Sequence, residues 1–127
     1  MKKNKYRMPS YSFIPNSEYE YVAIQRATTT TIDASGQPVV SWATIDDGNN
    51  VPMVVAPWSS RKMAEFQQRL SGTNIVSASD GFVAADVDIK PRDLVITSDN
   101  DQYTVYAVTK FPNSHREATL VILEDTL

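Results

Sequence analysis

The chain has 127 residues, of which 42% are hydrophobic and 21% charged, and its formal net charge at pH 7 is −3. This length predicts one domain that buries roughly two-thirds of its unfolded surface, and the composition excludes wholesale disorder. The absence of cysteine excludes disulfides, thiolate metal sites and a cysteine nucleophile, and it is consistent with a reducing compartment.

The first twenty residues differ from the rest of the chain in charge and pattern. Residues 1–26 hold five basic and two acidic side chains, whereas residues 27–127 hold seven basic and thirteen acidic ones. No run approaches the ~18 apolar residues of a membrane span, so we expect a soluble, unexported protein without membrane contact. Residues 1–20 are predicted to form a basic arm, either a solubilising leader or a docking segment whose aromatic side chains lie on the chain's own barrel or on a neighbouring subunit. The candidate docking residues are Tyr6, Tyr11, Phe13 and Tyr19.

A β-hairpin is predicted after the arm. Residues 20–31 alternate in a strand-like pattern rich in β-branched side chains, residues 33–38 have the composition of a turn, and residues 39–45 return as a second strand. Another turn leads to a third strand over residues 51–56. Because Pro52 cannot donate a hydrogen bond to a ladder, we expect this strand to lie at a sheet edge or to begin after the proline.

One helix is predicted, over residues 60–70. Ser59 or Ser60 can cap its start, and Gly72 stands where a helix C-terminus favours positive φ. Its apolar face is formed by Met63, Phe66 and Leu70. At about ten residues this helix would be marginal alone, so it must pack against the sheet. Residues 71–81 are small and polar, and we expect them to form a loop or a short exposed strand.

A strand is predicted over residues 82–89, where the side chains expected to point inward are Val83, Ala85, Val87 and Ile89. Three β-patterned runs close the chain, over residues 87–96, 103–108 and 117–124. The last run is apolar on both faces, so we expect one face to meet another subunit. Six or seven short strands and one inserted helix predict a mainly β fold, a small antiparallel β-barrel or sandwich over residues 21–127 with the arm extending from it.

Catalytic chemistry is nearly absent from the sequence. The single histidine, His115, lies in a predicted hairpin turn over residues 112–116, where we expect an exposed side chain. The carboxylate clusters fall in predicted turns, where solvation explains them, and the four glycines are isolated turn residues that form no phosphate-binding loop. We therefore predict that the protein is not an enzyme and uses no metal or cofactor.

The order of these elements resembles the head–tail joining proteins of tailed bacteriophages, meaning the adaptor and head-closure (stopper) proteins of the neck. The similar features are the hairpin with turn, glycine and tryptophan at residues 33–42, the helix at residues 60–70, and the closing meander from residue 89 onward. This sequence departs from the family in its turn at residues 98–101, where relatives carry glycine, and in its long aromatic leader.

The resemblance implies a structural virion protein that forms a homo-oligomeric ring below the portal, closes the DNA-filled head and joins it to the tail. Assembly would take place in the host cytoplasm. The implied partners are copies of itself, a portal or adaptor protein above, and a tail-terminator or tail-tube protein below. Packaged DNA would pass through the lumen without sequence-specific contact. A channel-gating loop is implied after the helix, with candidate residues Ser71, Thr73, Asn74, Ile75, Val76 and Ser77.

Two other functions fit the same sequence. A tail-terminator or minor tail subunit can be built on a similar small barrel. A nucleic-acid-binding small barrel is the alternative from another class, because such barrels bind single strands with aromatic and basic side chains. The acidic body of this chain disfavours that alternative, since it repels a phosphate backbone.

Overall fold

The computed structural model describes residues 19–45, 51–70 and 73–123. These residues form seven strands and one helix, which confirms the predicted mainly β class. The elements in chain order are β1 (Tyr19–Ile32), β2 (Pro38–Thr44), β3 (Val51–Pro57), α1 (Ser60–Gln67), β4 (Ile75–Ala84), β5 (Leu94–Ile96), β6 (Gln102–Phe111) and β7 (His115–Leu123). Of the predicted arm over residues 1–20, only the last two residues are described, and they begin β1.

The sheet is antiparallel and closes on itself. Its strand order is β2-β1-β3-β4-β7-β6-β5, and a further pairing of β1 with β5 joins six strands into a ring. That closure runs from Ala23 opposite Ile96 to Gln25 opposite Leu94. Gln25 also lies opposite Thr44 of β2, so β2 and β5 flank β1 on opposite edges at this point. Among the described strands, β2 pairs with β1 alone.

The core fills the interior of the closed sheet with alternating apolar side chains. Fully buried members are Val22, Ile24, Val51, Met53, Val83, Val87, Ile89, Val95, Val105 and Leu120. Each such side chain contributes about 1.5–3 kcal/mol by leaving water. Gly81 lies in this layer, and a Cβ there would stand 3.0 Å from both Leu120 Cδ1 and Met53 Sδ. The glycine therefore permits the close approach of these two side chains.

Of the two alternatives predicted for residues 71–81, a loop or a short exposed strand, the structure has a strand from Ile75 onward. Strand β4 pairs with β7 from Ile75 opposite Leu123 to Ala84 opposite His115. The strand is also longer and less exposed than predicted, since Ala78 and Ser79 are buried. The ladder to β7 supplies the strand character that the residue types themselves lack.

The strand predicted over residues 82–89 ends early, because the chain turns after Ala84, whose carbonyl accepts the N–H of Val87. Val87 and Ile89 nevertheless point into the core as predicted, while Ala85 is only half-buried. The residues from 85 to 93 thus form a connection that covers the interior of the sheet.

Both alternatives predicted for the third strand are wrong, because β3 is not a sheet edge and it begins at Val51, before Pro52. It pairs with β1 from Val51 to Val54 and with β4 only from Val54 onward. The proline therefore precedes the first residue paired with β4. Its missing N–H removes no hydrogen bond from the ladder between β3 and β4.

Helix α1 begins as predicted but ends earlier. The Ser59 side chain accepts a hydrogen bond from the Lys62 N–H, which confirms the cap. The last residues tighten into i→i−3 bonds, so the regular helix stops at Gln67. Phe66 packs edge-on against Trp58 at 5.2 Å and against Tyr106 at 5.1 Å between ring centroids. These contacts fix the helix on the outside of the sheet.

Candidate functional site

The described residues contain no cluster of three or more His, Asp or Glu side chains that could hold a metal ion. Within the same ranges, none of the helical structure has the length and apolar character needed to cross a membrane. The segments that leave the closed sheet provide candidate functional surfaces.

Residues 27–44, which we call the ribbon, form the most distinctive surface. They comprise the distal half of β1, a turn and β2, and all of their side chains are exposed. The β1–β2 ladder continues to Ile32 opposite Pro38, seven residues beyond the last β1 residue paired with β5. At about 3.3 Å per residue the ribbon projects about 23 Å beyond the closed sheet.

The tip of the ribbon is a hydrogen-bonded turn organised by Asp33. Its carboxylate accepts bonds from the Ser35 hydroxyl at 2.7 Å and from the Ser35 and Gln37 N–H groups at 2.9 Å. The Ser35 bond, followed by the backbone bonds, holds the pKa of Asp33 below its usual value. Gly36 adopts φ of +86°, which a side chain would strain.

The ribbon exposes apolar side chains and carries little charge. Its exposed large apolar side chains are Ile32, Val39, Val40 and Trp42, and Ile32 is 74% exposed. Asp33 is its only charged residue. An isolated two-stranded ribbon is marginal in water, and an uncharged edge strand such as β2 is a template for pairing. Since the ribbon lacks lysine and arginine, its surface suits a protein partner better than a phosphate backbone.

An ion cluster anchors the base of the ribbon to the connection between β4 and β5. Arg26 donates to both oxygens of Asp93, with Nε 2.9 Å from Oδ1 and Nη2 2.8 Å from Oδ2. Its Nη1 donates to Asp88 Oδ2 at 3.0 Å, and the Lys90 N–H donates to Asp93 at 2.9 Å. The hydrogen bond to Asp93 raises the pKa of Arg26 above its usual value. The Arg26 bond in turn lowers the pKa of Asp88.

The structure separates the residues predicted to gate a channel. Ile75, Val76 and Ser77 lie in β4, whereas Thr73 and Asn74 form the connection that precedes it. Gln67 holds this connection by donating to the Thr73 carbonyl at 2.6 Å and accepting from the Ile75 N–H at 2.7 Å. The remaining candidate, residue 71, lies outside the described residues.

Of the four candidate docking residues in the predicted arm, one lies within the described residues. Tyr19 begins β1 opposite Val54, and the positions of Tyr6, Tyr11 and Phe13 lie outside the described residues.

The predicted exposure of His115 is wrong. The residue begins β7, and its side chain is only 13% exposed because its ring stacks on Phe111 at 4.7 Å and 16°. Beside it is a cavity of about 160 Å³ that we call the basic pocket. It is lined by Ala85, Lys110, Phe111, Pro112, His115 and Arg116.

Two of these features carry faint sequence signals. The four consecutive threonines from Thr28 to Thr31 place polar β-branched side chains on both faces of a strand, which is typical of a ribbon solvated on both sides. Lys110 lies shortly before the predicted turn and Arg116 at its end, which indicates that the two cations are close together.

Comparisons with known proteins inform the fold. Neither a protein-family model nor a curated protein sequence matches this chain. The structure is similar to a solved one, that of the phage-like element PBSX protein xkdH from Bacillus subtilis, with a TM-score of 0.50. The two chains are 17% identical, and the similarity covers 81% of this chain and 92% of the other. At this level of identity the likeness establishes a shared fold.

Proposed function

We propose that this chain is a structural neck protein of a tailed-phage virion, a ring subunit below the portal that closes the filled head and joins it to the tail. The observation that carries the proposal is the fold shared with a protein of a phage-like element over most of both chains. The order of elements in the sequence supports the same assignment through its resemblance to the adaptor and stopper proteins.

The projecting ribbon supports an assembly role. A surface of exposed apolar side chains on a thin two-stranded element gains stability when a partner covers it. A ring needs one surface to contact a different surface on the next copy. In our proposal the ribbon provides one of these surfaces, and it reaches about 23 Å from the closed sheet toward the neighbouring copy.

The proposed action is mechanical, so the protein would be neither an enzyme nor a cofactor carrier. Its partners in this account are copies of itself, a portal or adaptor protein on the head side and a tail-terminator or tail-tube protein on the other. Because Ile75 and Ser77 pair with β7, we assign the proposed gating role to the connection that contains Thr73 and Asn74.

In the tail-terminator alternative, the chain would form the same contacts between copies but in a ring closer to the tail. The nucleic-acid alternative is disfavoured further by the ribbon, whose 18 residues contain no basic side chain.

Portal-bearing heads offer a direct experiment. Filled heads that lack the neck would be incubated with the purified protein, and retained DNA would be measured after nuclease treatment. We expect heads with the protein to retain more DNA than heads without it. Association with heads but unchanged retention would remove the closure role and leave the adaptor role. Absence of association with both heads and tails would contradict the neck assignment.

A further inference from the structure

The outer edge of β2 carries backbone groups that point away from β1. In an antiparallel ladder, residues whose N–H and C=O groups bond the partner strand alternate with residues whose groups point away from it. Hydrogen bonds at both ends of the ribbon fix this alternation. The Asp33 N–H donates to the Gln37 carbonyl at 2.9 Å, and the Ile45 N–H donates to the Ile24 carbonyl at 2.8 Å. Positions 37 and 45 therefore face β1, as do the odd-numbered positions between them.

The even-numbered residues of β2 thus form its outer edge. The N–H and C=O groups of Val40, Trp42 and Thr44 point away from β1, together with the C=O group of Pro38. In the described part of the chain, β2 pairs with no strand other than β1. Pro38 lies at the tip of the ribbon, so its missing N–H shortens this edge without interrupting it.

The opposite edge of the ribbon belongs to β1. Counted back from Asp33, Thr31 and Thr29 face β2, so the N–H and C=O groups of Thr30 and Ile32 point away from it. Strand β5 lies on this side of β1, but its pairing stops at Gln25. Among residues 19–45, 51–70 and 73–123, no strand continues the ladder along Thr30 and Ile32. The ribbon therefore has one open edge on each side.

Neither edge of the ribbon carries a charged side chain that would protect it. The only charged residue of the ribbon, Asp33, lies in the turn at its tip. By contrast, β6 extends past its pairing with β5, which ends at Thr104, and its extension carries Lys110. Lysine on an edge strand hinders pairing with another chain, whereas an uncharged edge rich in β-branched residues favours it. The two edges of the ribbon are thus suited to strand pairing.

A second copy of this chain fits both edges. Because β1 and β2 run in opposite directions, two copies in the same orientation bring the β2 edge of one against the β1 edge of the next as antiparallel strands. This contact joins two different surfaces and leaves an edge for the following copy, as a ring requires. Pairing of β2 with β2 would give a two-fold dimer and leave both β1 edges open.

The side chains of the ribbon support the same contact. Ile32 lies opposite Pro38 and Thr30 opposite Val40, so these side chains share one face of the ribbon with Trp42. Ile32, Val40 and Trp42 are exposed apolar side chains. In a sheet that continues from ribbon to ribbon, side chains on this face of one copy pack beside those of the next.

We propose that the ribbons of neighbouring copies join into one intermolecular β-sheet, in which the β2 edge at Val40 and Trp42 pairs with the β1 edge at Thr30 and Ile32 of the next copy. This inference rests on the proposed ring assembly and specifies its subunit contact. Backbone hydrogen bonds hold the copies together, and the shared apolar face adds to their affinity.

Proline substitutions test the two edges separately. Val40→Pro and Thr30→Pro each remove one outward N–H and place a ring on one edge, and neither removes a bond between β1 and β2. Each should weaken self-association about tenfold in sedimentation velocity. The matched controls, Val40→Thr and Thr30→Val, keep the N–H and should associate as the wild type does. Thermal melts verify the folding of all four variants. Wild-type association of both proline variants would overturn the proposal.

A mixture of the two proline variants tests whether the contact joins different edges. Val40→Pro keeps its β1 edge and Thr30→Pro keeps its β2 edge. The mixture should therefore form dimers of one copy of each, at concentrations where either variant alone is monomeric. A mixture that stays monomeric would contradict the contact. Dimers of Thr30→Pro alone would show pairing of β2 with β2 and would also overturn it.

Amide hydrogen exchange provides a measurement on the unmodified chain. The N–H groups of Val39 and Ser41 bond to β1, whereas those of Val40 and Trp42 point outward and should exchange faster in the free chain. Assembly should slow the exchange of Val40 and Trp42 at least about tenfold. Unchanged exchange at these two residues in assembled rings would contradict a shared sheet.

The outcomes separate this inference from the ring proposal. If the wild-type chain forms no ring, either alone or on filled heads, the ring proposal fails and this inference fails with it. If rings form and both proline variants also form them, the ring proposal stands and the shared sheet fails alone. Slowed exchange at Val40 and Trp42 on heads, without contact between copies, would assign the β2 edge to a strand of another virion protein and overturn the second copy as its partner.

Discussion

Arg26 and Asp93 form a two-point ion pair between residues 67 positions apart, and the Asp93 side chain is only 3% exposed. Arg26 lies at the base of the ribbon, next to the last β1 residue that pairs with β5. Asp93 lies at the end of the connection that enters β5 and also accepts the Lys90 N–H. The pair therefore fixes the direction in which the ribbon leaves the closed sheet.

Replacing Arg26 should destabilise the fold more than the loss of an exposed ion pair does. In Arg26→Met the Asp93 carboxylate stays buried without its cation, which costs about 3–5 kcal/mol of unfolding free energy. Urea denaturation measures this loss. The control is Arg61→Ala, which removes an exposed pair with Glu65 at 3.3 Å and should change stability by less than about 1 kcal/mol. Equal effects of the two variants would show that the pair does not anchor the fold.

Acid should weaken the contribution of Asp88. Its pKa is lower in the folded chain than in the unfolded one because of the Arg26 bond, so the stabilisation is present above about pH 4 and is lost as pH falls through the folded pKa. Asp88 is 51% exposed, so we expect at most about 1 kcal/mol. Urea denaturation from pH 7 down to pH 2 should show the stability gap between wild type and Asp88→Asn closing below pH 4. A gap independent of pH would contradict this assignment.

The ribbon should matter for association and little for folding. Trp42→Thr changes a side chain that is 42% exposed on a two-stranded element, so we expect less than about 1 kcal/mol of lost stability. Self-association and binding to filled heads should fall. The matched control is Val76→Thr, which alters a 60% exposed side chain on β4. Similar loss of association in both variants would mean that general surface hydrophobicity, and not the ribbon, drives assembly.

A side chain at position 81 should destabilise the fold. In Gly81→Ala the added methyl group meets Leu120 and Met53 at 3.0 Å, and overpacking of this kind costs about 1–3 kcal/mol. Gly36→Ala is the comparison, because nothing lies within 4 Å and the cost comes only from the positive φ, about 1 kcal/mol. Thermal denaturation of both variants distinguishes steric from backbone strain. Full stability in Gly81→Ala would show that the packing relaxes freely.

Local signals in the sequence predict much of the fold. The hairpin from Tyr19 to Thr44, the Ser59 cap and the inward positions of Val87 and Ile89 follow from periodicity and turn chemistry. The sequence leaves a loop and a short strand as alternatives over residues 71–81, because small polar residues carry little β propensity, and the pairing with β7 decides in favour of the strand from Ile75.

Long-range contacts explain what the sequence leaves open. The closure between Gln25 and Leu94 and the ion pair between Arg26 and Asp93 join segments that local patterns treat as unrelated. His115 has turn-like neighbours, yet Phe111 buries its ring across the hairpin. The candidate surfaces, the ribbon and the basic pocket, arise from these contacts. The sequence therefore contains their residues but does not predict how those residues are arranged.

A cryo-electron microscopy reconstruction of the neck of the assembled virion tests the central claim most directly. We expect a ring of copies below the portal, with residues 27–44 of each copy lying against its neighbour. A neck without this chain, or copies whose ribbons do not lie against their neighbours, would contradict the account.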